Sequence, residues 1–148
     1  MSHVTAAVVD LECFAVAAPG LEPLVAAELR ALGELHPVAV GETELGGVSF
    51  RAGRAGLYAA NLHLRIASRV LVRIGTFHAS AFHELERHAA RLPWREFVAS
   101  GSPVAFRVTS RKSRLYHQDA IAQRLLAAAG GTAAAEGDVA QEDRKAHV

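Results

Sequence analysis

Val104-Ala-Phe-Arg-Val-Thr-Ser-Arg-Lys-Ser-Arg-Leu-Tyr-His117 reads as a strand that ends in a basic loop and feeds a helix. Val104, Phe106 and Val108 alternate with Ala105, Arg107 and Thr109, the period of two that marks a half-buried strand. The alternation stops there, and Ser110, Arg111, Lys112, Ser113 and Arg114 follow with no apolar residue among them. From about Tyr116 onward, Ile121, Leu125 and Ala128 resume at helical spacing. Arg107, Arg111, Lys112 and Arg114 all precede the first acid, Asp119. A loop of this kind, held between two packed elements, offers guanidinium forks and hydroxyls to phosphate oxygens. Composition alone accommodates a solvated, charge-rich connector equally well.

Upstream, the first half reads as a β-α-β-β-α-β unit. Residues 13–17 (CFAVA) form a short apolar strand closed by Pro19-Gly20. Leu21, Leu24, Val25, Leu29 and Leu32 then predict an amphipathic helix stopped by Gly33. Val38 to Gly41 and Gly47 to Phe50 predict two strands, joined by a hairpin-type turn over Glu42–Gly46. Gly53 to Leu64 is a second helix, and Val70, Val72 and Ile74 alternate with Leu71 and Arg73 in a last strand. This order is the split β-α-β pattern of ferredoxin-like folds. Fold alone implies no function.

The second half begins near Phe77. Phe82, Leu85, Ala89 and Leu92 predict an amphipathic helix ending at Pro93, and Trp94 with Phe97 a short aromatic turn. Ser100-Gly101-Ser102-Pro103 is a loop leading into the basic strand. After Gly130-Gly131 the chain offers only Val139 and Val148 as sizeable apolar groups, among alanines and charges. The predicted layout is a ferredoxin-like domain at 12–77, a second domain at 78–130 and a flexible tail at 131–148. The fold class is therefore α+β.

With 148 residues and 51% hydrophobic content, the chain can build a real core, though the abundance of alanine predicts modest stability. A net charge of +1 excludes a binder driven by global charge, so any nucleic-acid contact must come from a local patch. The single cysteine, Cys13, excludes an internal disulfide, fits a reducing cytosol and is expected to be a small core residue. Asp10 and Glu12, without a basic segment before them, argue against a signal peptide. Charges interrupt the alanine-rich stretches well short of a bilayer span. The expectation is a cytoplasmic protein.

Chemistry is sparse. No Pro-Pro pair occurs, Gly46-Gly47 precedes a strand instead of following one, and Gly130-Gly131 precedes polar chain. Catalysis by this chain alone is not expected. There are eight histidines, but His78, His83 and His88 are spaced by five, which puts successive side chains about 140° apart on a helix. Zinc ligands on one helix face need a spacing of four, so no metal is expected. His117, just past the basic loop, can donate to phosphate, stack on a base, or cap the helix. Arg65, Arg69 and Arg73 form a second basic group, each equally open to surface ion pairing.

Phe106–His117 resembles the strand–loop–helix signature of the THUMP domain, an RNA-binding module of RNA-modifying enzymes. Phe14-Ala-Val-Ala-Ala-Pro-Gly-Leu-Glu, Gly46-Gly-Val-Ser-Phe50, Ala67-Ser-Arg-Val-Leu71 and Leu92-Pro-Trp94 resemble, in order, the bacterial THUMP-containing guanine-N2 methyltransferases of large-subunit ribosomal RNA. The resemblance implies a partial THUMP-like α/β domain after the ferredoxin-like one, with RNA, in particular large-subunit rRNA, as the partner. It implies RNA contacts at Arg107, Ser110, Arg111, Lys112, Ser113, Arg114, Tyr116 and His117, with Arg69 extending the track. S-adenosylmethionine would serve a separate methyltransferase domain, and no cofactor is expected in this chain. The family's remaining THUMP strands and its Asn/Asp-Pro-Pro-Tyr/Phe element do not follow here, so the chain is expected to be an N-terminal part of such an enzyme. An incomplete sheet would leave the Val104–Val108 strand with an exposed edge. The rival reading is a non-catalytic ferredoxin-like protein-interaction or regulatory module, in which the basic loop is incidental.

Overall fold

The computed structural model describes residues 10–109, 115 and 117–133, and the chain divides between Arg73 and Ile74 into two units. In the first, β1 (Leu11–Val16), α1 (Glu22–Gly33), β2 (Val38–Glu44), β3 (Gly47–Ala52), α2 (Arg54–His63) and β4 (Arg69–Arg73) follow one another. The strands form one antiparallel sheet in the order β2-β3-β1-β4, the ferredoxin-like arrangement expected from the sequence.

The helices form where apolar spacing and end chemistry agree. Pro23 lies in the first turn of α1, where a missing N–H breaks no intrahelical bond. Glu22 and Arg30 sit at the ends that suit their charges. Val25, Ala26, Leu29 and Leu32 of α1 join Cys13, Ala15, Val48 and Phe50 of the sheet in one core. In α2 the buried residues are small (Gly56, Ala59 and Ala60), which lets this helix lie close to the strands. A Cβ at position 56 would come within 2.7 Å of the Pro37 carbonyl oxygen.

Helix α1 ends at Gly33, as expected, whereas the end of strand β2 differs from the sequence expectation. Glycine is needed at position 33 because a Cβ would lie 2.8 Å from the Val38 carbonyl oxygen. Strand β2 continues to Glu44, into the predicted turn, and the Ser49 hydroxyl stitches an irregularity between Val40 and Thr43. That hydroxyl accepts from the Glu42 N–H (2.8 Å) and donates to the Glu42 carbonyl (3.1 Å). The turn itself is only Leu45-Gly46, with Gly46 at φ 93°, a conformation that favours glycine.

The second unit contains α3 (Phe82–Ala89), a 3-10 turn (Trp94–Glu96), β5 (Pro103–Val104), α4 (Gln118–Ala129) and β6 (Thr132–Ala133). Helix α3 ends at Ala89, short of the predicted Pro93, because the buried Trp94 indole N–H takes the Ala89 carbonyl at 2.7 Å. Helices α3 and α4 are tied by Arg124, whose Nε lies 2.7 Å from Glu86 and whose guanidinium sits 4.1 Å from the Phe82 ring centre. Gly130, at φ 67°, ends α4 in a left-handed cap.

The predicted Val104–Val108 strand is corrected. Burial alternates as expected: Val104, Phe106 and Val108 are half-buried, while Ala105, Arg107 and Thr109 are exposed. Among the described residues only Pro103–Val104 pairs, however, in parallel with β6. Residues 132–133, assigned to a flexible tail, form that short partner strand, while the other edge of β5 has no strand partner among the described residues. The rest of that tail, 134–148, lies outside the described residues. Among the described residues no helix is long and apolar enough to cross a membrane.

Candidate nucleic-acid interface

The basic stretch is flanked by two anchored side chains. Phe106, at its start, packs edge-on against Trp94 with ring centres 6.0 Å apart. Leu115, near its end, is buried. Arg107 is exposed, on the side of the segment opposite Phe106. His117 occupies the N-cap position of α4 without a side-chain capping bond, so it does not serve as the cap its position allowed. It borders a hollow of about 560 Å³ with Gln118, Asp119 and Gln123, at the end of α4 where the helix dipole is positive. Ser110, Arg111, Lys112, Ser113, Arg114 and Tyr116 lie outside the described residues.

Arg69 belongs to the other unit, exposed on β4 opposite Val16 of β1. Of its neighbours in the second basic group, Arg73 pairs with Glu12 at 3.5 Å. The Arg65 backbone N–H donates to the Glu28 carboxylate, which also receives the Ile66 N–H. His88 stacks on Phe77 at 5.4 Å and His36 on His63 at 5.9 Å, so three of the eight histidines lie against another ring. Among the described residues no three His, Cys, Asp or Glu side chains gather as metal ligands do. Cys13 is a core residue, and burial pushes its thiol up.

The strand-to-helix turns of the first unit do not fit S-adenosylmethionine. At Pro19-Gly20 the Gly20 N–H already donates to the Glu22 carboxylate (2.7 Å), and between β3 and α2 a single glycine, Gly53, stands at the helix N-cap. Neither is a glycine-rich cradle.

Sequence reasoning missed the helix-free face of the sheet. Phe14, Ser49 and Leu71 meet across its middle, bordering a hollow of about 800 Å³. The segment CFAVA is apolar on both faces, so its alternation could not reveal which residues face away from the core. The available signal was the run of small residues at Gly41, Gly47 and Ser49 on the neighbouring strands.

Residues 12–71 match the family model of the RlmL ferredoxin-like domain. The chain is 36% identical over 115 residues to the ribosomal RNA large subunit methyltransferase K/L of Syntrophotalea carbinolica, covering 78% of this chain and 16% of that protein. It is 33% identical over 121 residues to the enzyme of the same name from Methylococcus capsulatus, covering 76% of this chain and again 16% of the relative. Among solved structures, a predicted N6-adenine-specific DNA methylase from Listeria monocytogenes superposes with a TM-score of 0.67 at 30% identity, over 92% of this chain and 33% of that one. A candidate methyltransferase complexed with SAH gives 0.69 at 32% identity, over 80% and 30%. The chain thus spans about one sixth of the length of these curated relatives. Residues 12–71 thus carry an RlmL ferredoxin-like domain, and similarity to the large-subunit ribosomal RNA methyltransferases K/L runs along most of the chain's length.

Proposed function

We propose that this chain is the RNA-docking region of a methyltransferase that modifies N2 of a guanine in large-subunit ribosomal RNA in the cytoplasm. The ferredoxin-like domain (12–77) carries a THUMP-type RNA-binding domain (78–130) in which Arg107, Ser110, Arg111, Lys112, Ser113, Arg114, Tyr116 and His117 hold RNA, with Arg69 as a further contact. The observation that carries this reading is a basic stretch bounded by two anchored side chains, Phe106 and Leu115, in a chain whose relatives are named RNA methyltransferases. Anchoring the ends of a loop lowers the entropy lost when its cations take up phosphates. Phosphate contacts position the RNA without reading its sequence.

The methyl donor, S-adenosylmethionine, is assigned to a catalytic domain beyond this chain. A related structure complexed with SAH, the product left when S-adenosylmethionine gives up its methyl group, supports that assignment. Replacing Arg111, Lys112 and Arg114 together by alanine is expected to weaken binding to a large-subunit rRNA fragment about tenfold or more at low salt. Unchanged affinity would remove the loop from the RNA site.

A further inference from the structure

We propose that the helix-free face of the β2-β3-β1-β4 sheet binds an unpaired RNA base stacked on Phe14, with the adjoining phosphates held by Arg51, Arg69 and Arg73. The proposal rests on reading the chain as an RNA-docking region and gives that region a second contact surface in the first unit.

Phe14 stands at the centre of the face, opposite Ser49 on β3 and Leu71 on β4. Its ring leans diagonally over Gly47: a Cβ at position 47 would fall 2.6 and 2.7 Å from two of its ring carbons. Glycine at 47 thus makes the room the ring occupies, and the backbone supports it from below. Phe14 also lines the hollow of about 800 Å³, where Leu71, 46% exposed, extends the apolar surface. A half-buried ring braced on backbone, with open space above it, is a stacking platform. Four-stranded sheets present such rings to unpaired bases, and any base can use them because every base has a π-face.

The charges are arranged for the strand that would carry the base. Arg51, Glu12 and Arg73 form one row across β3, β1 and β4, and Arg69 lies on the same face two residues from Leu71. The pairs Arg73–Glu12 (3.5 Å) and Arg51–Asp10 (3.9 Å) are long and exposed, so each guanidinium keeps donors for a phosphate. Arg69 makes no ion pair among the described residues. Glu12, Glu42 and Glu44 also border the hollow beside Arg51 and Arg73, and their repulsion disfavours a duplex lying across the face while leaving room for one splayed base. Affinity at this site therefore comes from stacking more than from charge. Its salt dependence should be weaker than that of the basic loop.

The test uses the full chain and a labelled, unstructured octaribonucleotide carrying one 2-aminopurine. Phe14→Leu keeps an apolar cover over Gly47 but removes the ring; Phe14→Tyr keeps the ring. Circular dichroism and thermal melts establish that both fold. The expected result is a loss of affinity of about five- to hundredfold in Phe14→Leu, the range for removing one base–aromatic stack. Binding and 2-aminopurine quenching should return in Phe14→Tyr and persist in the Arg111, Lys112, Arg114 alanine variant. Wild-type affinity in Phe14→Leu, or no binding of the octanucleotide by the wild-type chain, would overturn the sheet site. The loop reading would be untouched, since it is judged on structured rRNA. A dimer that Phe14→Leu dissociates without changing RNA affinity would assign the face to a second copy and overturn the proposal as well.

Discussion

Glu22 shows how one side chain can join distant parts of a small fold. Its carboxylate is buried at the start of α1 and accepts the Gly20 N–H at 2.7 Å and the Gly46 N–H at 3.0 Å, linking the β1–α1 turn to the β2–β3 turn. The Gly46 N–H, with that of Glu22 itself and of Gly20, holds the carboxyl below the ordinary glutamate value of 4.5, against the effect of burial. A depressed folded-state value means that the folded chain favours the ionised form. The resulting stability is present above the unfolded value of about 4.5 and is lost as pH falls through the lower folded one. Thermal melts should therefore show the first unit losing stability on acidification below this range, and Glu22→Gln should flatten that dependence and lower the midpoint at pH 7. A variant with the wild-type pH profile would contradict the role given to this carboxylate. The sequence marked Glu22 only as the last residue of the Phe14–Glu22 motif and not by its role, because its partners are backbone groups brought near by the sheet, one of them 24 residues away.

At the scale of elements, what was legible depended on whether the signal was local. Helices α1, α2 and α4 could be read because apolar spacing and flanking Gly or Pro act within one element. The length of β5 could not. Alternation at Val104, Phe106 and Val108 correctly reported which side chains turn inward, but pairing depends on a partner distant in sequence, and among the described residues that partner is Thr132–Ala133. The close approach of α2 to the sheet was equally invisible, since Gly56 reads as a weak helix former until its neighbours are known. Gly56→Ala should cost about 1–3 kcal/mol in chemical denaturation, because its Cβ meets a backbone carbonyl that has little freedom to move. A gain in stability, as helix propensity alone would give, would contradict the packing described. Between α3 and α4, Arg124→Ala removes both the Glu86 ion pair and the contact with Phe82, and should cost about 1–2 kcal/mol. A Glu86→Ala, Arg124→Ala double-mutant cycle with no coupling would show that the pair contributes nothing.

For the whole molecule, the near-neutral balance of 16 basic and 15 acidic residues focuses the functional claim on local surfaces. The ordered series of motifs pointed to the family whose ferredoxin-like domain model matches residues 12–71. The site was less legible because the residues of the basic loop announce charge without announcing a ligand, and because the sheet face is assembled from three strands. The central claim is that the chain docks RNA through Arg107–Arg114. Titrating its affinity for a large-subunit rRNA fragment against salt tests this most directly. Three or four phosphate contacts predict a log–log slope of about −2 to −3 for single-stranded RNA, made shallower by the Arg111, Lys112, Arg114 alanine variant. A slope near zero, or one the variant leaves unchanged, would contradict the account.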